Sequence, residues 1–297
     1  MILQKTFKNN KPTIYLITTP IGNLDDINKR SLETLQSVDF IFCEDTRTSK
    51  VLLDKYNISN NLISFHMHNE DQRINQIIDL VNQNKNIAII SDAGVPIISD
   101  PAGYLISQLR QLNINCNITA IGTGSAYIHA LICSGFNSKT NYFYGFIENK
   151  NKQSKIKELT NLINKYNDTV ISFYESVHRI KQTVECLNKI LDQNHKIVIA
   201  RELTKINEEI VYGSISEINS YVNSDEFISK GEFVIVIDKQ NQKLINNDYS
   251  DQEIIKLIDE EMNLNDIKLK KACEIISQKT NKSKNELYNM YILNKTS

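Results

Sequence analysis

Four predicted strands of this chain end directly in charged or polar side chains. Carboxylates and imidazoles at such positions can move protons, and arginines can bind phosphates or carboxylates. Capping or structural ion pairing explains any one of these clusters equally well. Ligands of open α/β sheets bind outside the carboxyl ends of strands, so four such clusters favour a cleft between two domains. The clusters are Glu44-Asp45-Thr46-Arg47, Ser91-Asp92-Ala93-Gly94, Glu175-Ser176-Val177-His178-Arg179 and Arg201-Glu202-Leu203-Thr204.

Two short apolar runs are followed by turns rich in Pro, Gly and small polar residues. The first turn contains Thr19-Pro20-Ile21-Gly22, and the second contains Asp92-Ala93-Gly94-Val95-Pro96. Runs of this length with such boundaries predict strands that are buried on both faces, which is typical of parallel sheets. We expect the two loops to form two walls of one pocket. Neither loop has the glycine pattern of a dinucleotide or phosphate site, which favours a neutral or zwitterionic cofactor over a pyrophosphate.

Predicted strands and helices alternate along the first part of the chain, and the same alternation begins again near Asn137. Strands separated by helices of about 10–15 residues indicate a mainly parallel sheet. We therefore predict an α/β fold with an N-terminal α/β domain at residues 1–136 and a second α/β domain at residues 137–240. Residues 241–297 contain only amphipathic helices and are predicted to form a small helical unit.

Composition excludes several classes of protein. The chain has 297 residues, of which 41% are hydrophobic and 23% are charged, as is usual for a soluble globular protein. Its apolar runs are shorter than the roughly 20 residues that span a bilayer, and its first residues lack the apolar region of a signal peptide. These features predict a cytoplasmic protein without a membrane segment. The five cysteines are scattered and odd in number, which predicts reduced thiols and no zinc site.

Charge is nearly balanced over the whole chain but not along it. The net charge of −1 gives no overall basic signature for nucleic-acid binding. Residues 267–297 nevertheless contain seven Lys and two Glu, and a second basic segment contains Lys150, Lys152, Lys155 and Lys157. A solvated surface and a phosphate-binding surface both explain such segments.

A series of motifs occurs in a fixed order between residues 14 and 238. The motifs are Thr18-Thr19-Pro20-Ile21-Gly22-Asn23-Leu24 with Asp26, Cys43-Glu44-Asp45-Thr46-Arg47, His66 with His68-Asn69-Glu70, Ser91-Asp92-Ala93-Gly94, Ser99-Asp100-Pro101, Phe173-Tyr174-Glu175-Ser176 with His178-Arg179, Ala200-Arg201-Glu202-Leu203-Thr204-Lys205 and Gly231-Glu232-Phe233-Val234. Together they resemble the tetrapyrrole-methylase superfamily. Within it, they are most similar to the ribosomal small-subunit RNA 2′-O-methyltransferases that modify a cytidine in the decoding centre.

The resemblance implies a two-domain methyltransferase, usually a homodimer, that binds S-adenosylmethionine in a cleft between its domains. By the same resemblance, Pro20 and Gly22 line a first cofactor loop. The other implied contacts are Asp92, Ala93, Gly94 and Val95 in a second loop, Gly124, Ser125 and Ala126 in a third, and Phe173 and Tyr174 in the second domain. Glycines let backbone groups approach a ligand, and carboxylates and aromatic faces favour a sulfonium cation. Capping of the following turn is the alternative role for Asp92.

The implied reaction methylates a ribose 2′-hydroxyl in the 16S rRNA of the small ribosomal subunit. It needs the hydroxyl oxygen, the methyl carbon and the sulfur in line, and a general base would help to deprotonate the hydroxyl. The candidate bases, which the sequence does not rank, are Glu44, Asp45, His66, Glu175 and Glu202. The candidate RNA-binding residues are Arg47, Lys150, Lys152, Lys155, Arg179 and Arg201, although structural ion pairs explain the arginines equally well. His66 and His68 have no evident third partner, so no metal site is predicted.

The chain departs from the family pattern in the second and third loops. Val95 stands where members usually carry Thr, and Ile121-Gly122-Thr123-Gly124-Ser125 stands where they carry Pro-Gly-Pro-Ser. Two alternatives therefore remain open. One is a tetrapyrrole C-methyltransferase of the same fold, and the other is a non-catalytic RNA-binding or assembly factor on the same scaffold.

Overall fold

The computed structural model describes residues 1–66, 68–96, 102–137, 139–148, 151–239, 251–265, 267–277 and 282–295. The chain divides into a compact unit of residues 1–239 and a second unit of residues 240–297, which are described separately. Lys150 and the Ser99-Asp100-Pro101 motif lie outside the described residues.

The secondary structure of the described residues follows the alternation that the sequence predicts. The strands are β1 (Ile2–Lys5), β2 (Thr13–Ile17), β3 (Phe40–Cys43), β4 (Leu62–Ser64), β5 (Ile87–Ile90), β6 (Asn117–Ile121), β7 (Asn141–Phe146), β8 (Val170–Glu175), β9 (Lys196–Arg201), β10 (Glu209–Ser214) and β11 (Phe233–Ile237). The helices are α1 (Lys29–Ser37), α2 (Thr46–Lys55), α3 (Glu70–Asn82), α4 (Ala102–Gln111), α5 (Ala126–Ser134), α6 (Lys152–Lys165), α7 (Ile180–Ile190), α8 (Ile215–Val222), α9 (Asp251–Asn265), α10 (Leu269–Ser277) and α11 (Lys284–Lys295). A short 3₁₀ turn spans Leu24–Asp26.

Five parallel strands form the first sheet, in the order β4-β3-β5-β2-β6. β2 and β5 are neighbours near its centre and are mostly buried, as the two apolar runs predict. Helices α1 and α2 cover one face through Leu35 and Leu53, and α3, α4 and α5 pack against the other. Because the strands are parallel, the loops that follow β2, β3, β5 and β6 meet along one edge of the sheet.

Six strands form the second sheet, in the order β1-β10-β9-β11-β8-β7. Only the β7–β8 pairing is parallel, and the other pairings are antiparallel. The mainly parallel sheet predicted for the first part of the chain is confirmed, whereas the second sheet is mainly antiparallel. One face of this sheet packs against α5 through Val198 and Val234, and the other packs against α6, α7 and α8. The α/β fold predicted from the sequence is confirmed.

The N-terminal strand β1 belongs to the second sheet and not to the first. Its four residues pair antiparallel with β10, with Leu3 opposite Val211. The amino group of Met1 also forms an ion pair with Glu217 at 2.7 Å, and it lowers the pKa of this carboxyl to about 2. The predicted domain division at residues 136 and 240 stays a prediction, but a domain built around the second sheet includes the first residues of the chain.

Side-chain caps fix where two helices of the first sheet begin. The Asn28 side chain accepts a hydrogen bond from the Ser31 N–H at the start of α1, and Asp45 accepts one from the Arg47 N–H at the start of α2. Such caps satisfy amide groups that have no partner within the helix. Asp45 is therefore a structural residue of the β3–α2 connection.

The second unit contains α9, α10 and α11, in agreement with the three amphipathic helices predicted. Its core is formed by apolar side chains from all three helices, including Ile258, Cys273 and Leu287. Lys282 forms an ion pair with Asp251 at 2.6 Å, which joins the segment before α11 to the start of α9. This unit has its own small core.

Three further observations concern the whole described chain. All five cysteines are buried and free. The described segments contain no group of three or more His, Cys, Asp or Glu side chains placed to hold a metal ion. None of their helices combines the length and the apolar character needed to cross a membrane.

Candidate active site

The loops after β2 and β5 are joined by reciprocal hydrogen bonds. The Thr19 N–H donates to the Gly94 carbonyl at 2.9 Å, and the Gly94 N–H donates to the Thr19 carbonyl at 3.1 Å. The Thr19 hydroxyl donates to the Ser91 carbonyl at 3.0 Å. Gly94 has a φ of +81°, a conformation that side chains disfavour. The structure thus brings the two sequence-predicted loops together as one surface.

The loop after β6 lies directly beside the first loop. The Thr18 N–H donates to the Ile121 carbonyl at 2.9 Å. Gly122 and Gly124 both have a positive φ, but their surroundings differ. A Cβ on Gly122 would lie 2.8 Å from the Asn28 amide nitrogen, whereas a Cβ on Gly124 would meet no atom within 4 Å. Gly122 therefore allows close packing, and Gly124 leaves its backbone open to a ligand.

The second sheet reaches this edge through Tyr174. Its hydroxyl lies 3.3 Å from the Ser125 hydroxyl, and its ring packs near Phe143 and Phe146. Phe143 in turn stacks on Tyr127, with ring centroids 4.2 Å apart. An aromatic group of the second sheet therefore faces the third loop.

Phe173 does not join this aromatic group. Its side chain is fully buried in the core on the opposite face of the second sheet, because successive residues of a strand point to opposite faces. We therefore remove Phe173 from the predicted cofactor contacts and keep Tyr174.

A cavity of about 260 Å³ lies between the first two loops and helix α2. Thr19, Pro20, Ser91 and Asp92 line it from the loops. Further lining comes from Leu24, Thr48, Ser49, Val51 and Leu52. Thr48 and Ser49 were not among the residues predicted from the sequence. Their position one turn after the Glu44-Asp45 cluster was the available signal.

The candidate bases on the first sheet differ in how strongly they are engaged. The Arg47 guanidinium makes hydrogen bonds to Asp45 and lowers the pKa of this carboxyl to about 2. Asp45 is therefore a weak base. His66 Nε2 lies 3.3 Å from the Asn69 amide, and its buried Nδ1 has no hydrogen-bond partner among the described residues. Glu44 is exposed at the end of β3.

The candidate bases on the second sheet are held in structural networks. Both oxygens of the buried Glu175 carboxylate accept hydrogen bonds: Oε1 from the Ser176 N–H at 2.7 Å, and Oε2 from the Thr183 hydroxyl at 2.6 Å. Arg179 and Lys155 form ion pairs with the same carboxylate at 2.8 and 3.6 Å. These contacts leave Glu175 no free access to a substrate, so we remove it from the candidate bases.

Glu202 is bound within a surface turn. Its carboxylate forms an ion pair with Lys205 at 2.8 Å and accepts the Glu232 N–H at 3.2 Å. The hydrogen bond from Lys205 lowers the pKa of Glu202. This arrangement orders the turn between β9 and β10 and weakens Glu202 as a base.

The predicted RNA-binding residues fall into a buried group and an exposed group. Lys155 is fully buried, and Arg201 is buried beside Glu209, with 3.6 Å between the charged groups. Because phosphates cannot reach them there, we remove both from the predicted RNA surface. Arg179 donates to the Ile147 carbonyl at 3.0 Å in addition to its ion pair with Glu175, so its role is also structural.

Two of these residues remain available at the surface. The side chain of Arg47 is 90% exposed although it pairs with Asp45 at 2.7 Å. The side chain of Lys152 is 41% exposed and pairs with Glu185 at 2.6 Å. Surface ion pairs of this kind are weak and exchange readily for a phosphate.

Comparisons with known proteins agree with the motifs. The family described as Tetrapyrrole (Corrin/Porphyrin) Methylases matches residues 13–219. A "Ribosomal RNA small subunit methyltransferase I" of Haemophilus influenzae is 38% identical over 275 residues, which cover 93% of this chain and 94% of that protein. The protein of the same name from Bacillus subtilis is 39% identical over 81% of this chain and 80% of its own length. The one from Vibrio cholerae is 36% identical over 96% of this chain and 96% of its own length. This chain therefore belongs to the tetrapyrrole methylase family, as its motifs predict, and within it groups with the proteins named ribosomal RNA small subunit methyltransferase I.

Proposed function

We propose that this protein transfers a methyl group from S-adenosylmethionine to the ribose 2′-hydroxyl of a cytidine in 16S rRNA, at the decoding centre of the small ribosomal subunit. The observation that carries the proposal is the identity of 36–39% with small-subunit rRNA methyltransferases over most of the chain. We also propose that it acts in the cytoplasm as a homodimer. The finer assignments rest on the motifs described above.

The loops at the edge of the first sheet fit such a methyl donor. Gly22 and Gly124 leave open space where other residues would carry a side chain, so their backbone groups are accessible. Tyr174 offers an aromatic face, which attracts a cation such as a sulfonium. When bound, S-adenosylmethionine supplies an electrophilic methyl group. We assign its binding to these residues and to Pro20 and Ser125, together with the backbone of Ala93, Gly94, Val95 and Ala126.

Positioning carries most of the catalytic work in this proposal. Among the candidate bases, Glu175 and Glu202 are engaged in ion pairs and the pKa of Asp45 is about 2. Glu44 and His66 are left as the residues that can accept the proton of the 2′-hydroxyl. Holding two reactants in line can contribute several orders of magnitude to a rate, so a weak base suffices.

Exposed cations would hold the RNA. Arg47 stands beside the proposed site, and Lys268 and Lys270 are exposed on the helical unit. Replacing Arg47 by glutamine should raise KM for small subunits. It should also reduce the slope of the logarithm of the binding constant against the logarithm of the salt concentration by about one. Lys29→Gln, which removes an equally exposed cation from α1, is the matched control. Equal effects of both substitutions would contradict the role of Arg47.

Methyl labelling tests the proposal directly. The protein is incubated with methyl-labelled S-adenosylmethionine and, separately, with small subunits, protein-free 16S rRNA and free tetrapyrroles, and the label is mapped. We expect the label on the ribose of one cytidine. Label on a tetrapyrrole would support the C-methyltransferase alternative. Calorimetric binding of S-adenosylmethionine without transfer to any of these substrates would contradict both enzymatic functions and favour an assembly factor.

A further inference from the structure

The cavity between the first two loops and α2 has the features of a binding site for a single heterocycle. Its volume of about 260 Å³ lies just below the about 300–1,000 Å³ of pockets for drug-sized ligands. Pro20, Leu24 and Leu52 give it apolar walls, which suit the face of a planar ring. A tetrapyrrole macrocycle is too large for it, whereas one base of a nucleic acid is not.

Two of the polar side chains that line the cavity, Thr19 and Ser91, already have partners within the protein. The Thr19 hydroxyl donates to the Ser91 carbonyl. The Ser91 hydroxyl lies 3.2 Å from the carbonyls of Ala93 and Gly94, to which it donates. These groups hold the two loops together, so they are not free to recognise a ligand.

Asp92 and Ser49, which also line the cavity, have unused hydrogen-bonding capacity. Asp92 Oδ1 accepts the Asp45 N–H at 3.0 Å, and Asp92 Oδ2 makes no hydrogen bond within the described part of the chain. Ser49 is 4% exposed, and its buried hydroxyl has no hydrogen-bond partner within the described part of the chain beyond its contact with the weak Cys43 thiol. The cavity therefore presents one free carboxylate acceptor and one buried hydroxyl.

We propose that this cavity binds the target cytosine, with Asp92 accepting a hydrogen bond from the exocyclic amino group and Ser49 donating to a ring acceptor. Carboxylates recognise cytosine through this amino group, whereas uracil presents a carbonyl at the same position and repels them. The proposal rests on the proposed function, because it names the part of the substrate that the site selects. It also reassigns Asp92 from binding the methyl donor to binding the target cytosine.

The position of the cavity agrees with this role. It shares Thr19, Pro20 and Ser91 with the loops to which we assign the methyl donor. It lies on the side of α2, whereas the aromatic group with Tyr174 approaches the third loop from the second sheet. The target cytosine and the methyl donor can therefore approach the same edge of the first sheet from two sides.

The substitution Asp92→Asn tests the proposal. Asparagine keeps an oxygen for the Asp45 N–H and places an amide donor where the free carboxylate oxygen was. Asp54→Asn, which removes an exposed carboxylate from the end of α2, is the matched control. Each variant is assayed on small subunits reconstituted with either cytidine or uridine at the nucleotide that the wild-type protein labels. The dissociation constant for S-adenosylmethionine is measured by calorimetry.

We expect Asp92→Asn to shift the ratio of cytidine to uridine methylation toward uridine by about ten-fold or more, with donor affinity unchanged. An unchanged ratio would overturn the proposal, and a loss of donor affinity with an unchanged ratio would return Asp92 to the donor site. If the wild-type protein labels no rRNA, the proposed function itself fails and the base site fails with it.

A second variant keeps the proposal testable if Asp92→Asn does not fold. Val51 is 60% exposed at the rim of the cavity, so Val51→Trp can narrow the opening without disturbing the core. We expect a higher KM for small subunits and the wild-type affinity for S-adenosylmethionine. An unchanged KM in the folded variant would overturn the assignment of the cavity to the target cytosine.

Discussion

Replacing Glu175 by glutamine should destabilise the protein strongly without removing its chemistry. The substitution leaves the ammonium of Lys155, which is fully buried, without its carboxylate partner at 3.6 Å. Breaking a buried ion pair from one side costs about 3–5 kcal/mol because the remaining charge is uncompensated. Arg179, which is partly exposed, can turn toward water and contributes less to this cost.

Lys155→Met should cost less than Glu175→Gln. After this substitution the carboxylate keeps Arg179, the Ser176 N–H and the Thr183 hydroxyl as partners. The loss is then close to that of one hydrogen bond to a charged group, about 1.5–3 kcal/mol. In the double variant no buried ammonium is left unpaired. Its destabilisation should therefore fall below the sum of the two single values by about 1–3 kcal/mol.

Urea unfolding followed by tyrosine fluorescence measures these differences, since the chain has 13 Tyr and no Trp. Additive single effects, or a Lys155→Met variant as unstable as Glu175→Gln, would refute the account of the network. Single-turnover methylation of small subunits at a temperature where the variants are folded gives an independent reading. A general base contributes about 10²–10⁴-fold, so a fall of that size in Glu175→Gln alone would restore Glu175 to catalysis.

Three further predictions concern titration and the methyl donor. Burial lowers the pKa of His129 to about 4, so the contribution of its neutral form to the free energy of unfolding should be fully present above pH 6.5. This contribution should fall by up to about 3 kcal/mol as the pH drops to 4, and His129→Gln should flatten this pH dependence in urea titrations. Burial raises the pKa of Asp238 to about 6, so stability should fall as the pH rises from 3.8 to 6; Asp238→Asn should add up to about 3 kcal/mol at pH 8 and nothing at pH 3.5, and equal gains at both would contradict this sign. Tyr174→Ala should weaken S-adenosylmethionine binding by about 0.5–2 kcal/mol in calorimetry while Tyr174→Phe keeps it, since in the proposed site the ring face and not the hydroxyl is expected to meet the cation; equal losses in both would contradict the proposed cation–π contact.

The first sheet could be predicted because its signals are local. The apolar runs that form β2 and β5 end in Pro and Gly, and Asn28 and Asp45 mark the starts of α1 and α2. The signal for β10 is not local. It begins at Glu209, directly after Glu208, and both glutamates are about 1% exposed. A pair of acids indicates a surface loop unless the partners are known.

The partners of those two acids come from other elements of the fold. Glu208 accepts the Thr119 hydroxyl at 2.8 Å and lies 3.7 Å from His129, and Glu209 pairs with Arg201 and accepts the Tyr221 hydroxyl. Composition and spacing cannot show which of these groups the fold brings together. For the same reason the sequence could find the strand-end clusters but could not separate Glu175, which is neutralised by Lys155, from carboxylates that remain open.

The two sheets therefore make unequal contributions to the proposed chemistry. On the second sheet both carboxylates that the sequence offered as bases are paired: Glu175 with Lys155 and Arg179, and Glu202 with Lys205. What this sheet offers to the site is the ring of Tyr174. On the first sheet Asp92 keeps one carboxylate oxygen free. A carboxylate whose oxygens are all engaged fixes geometry, whereas one with a free oxygen can accept a donor from outside. Substrate recognition is thus expected at the edge of the first sheet, and rigid placement of that edge at the second.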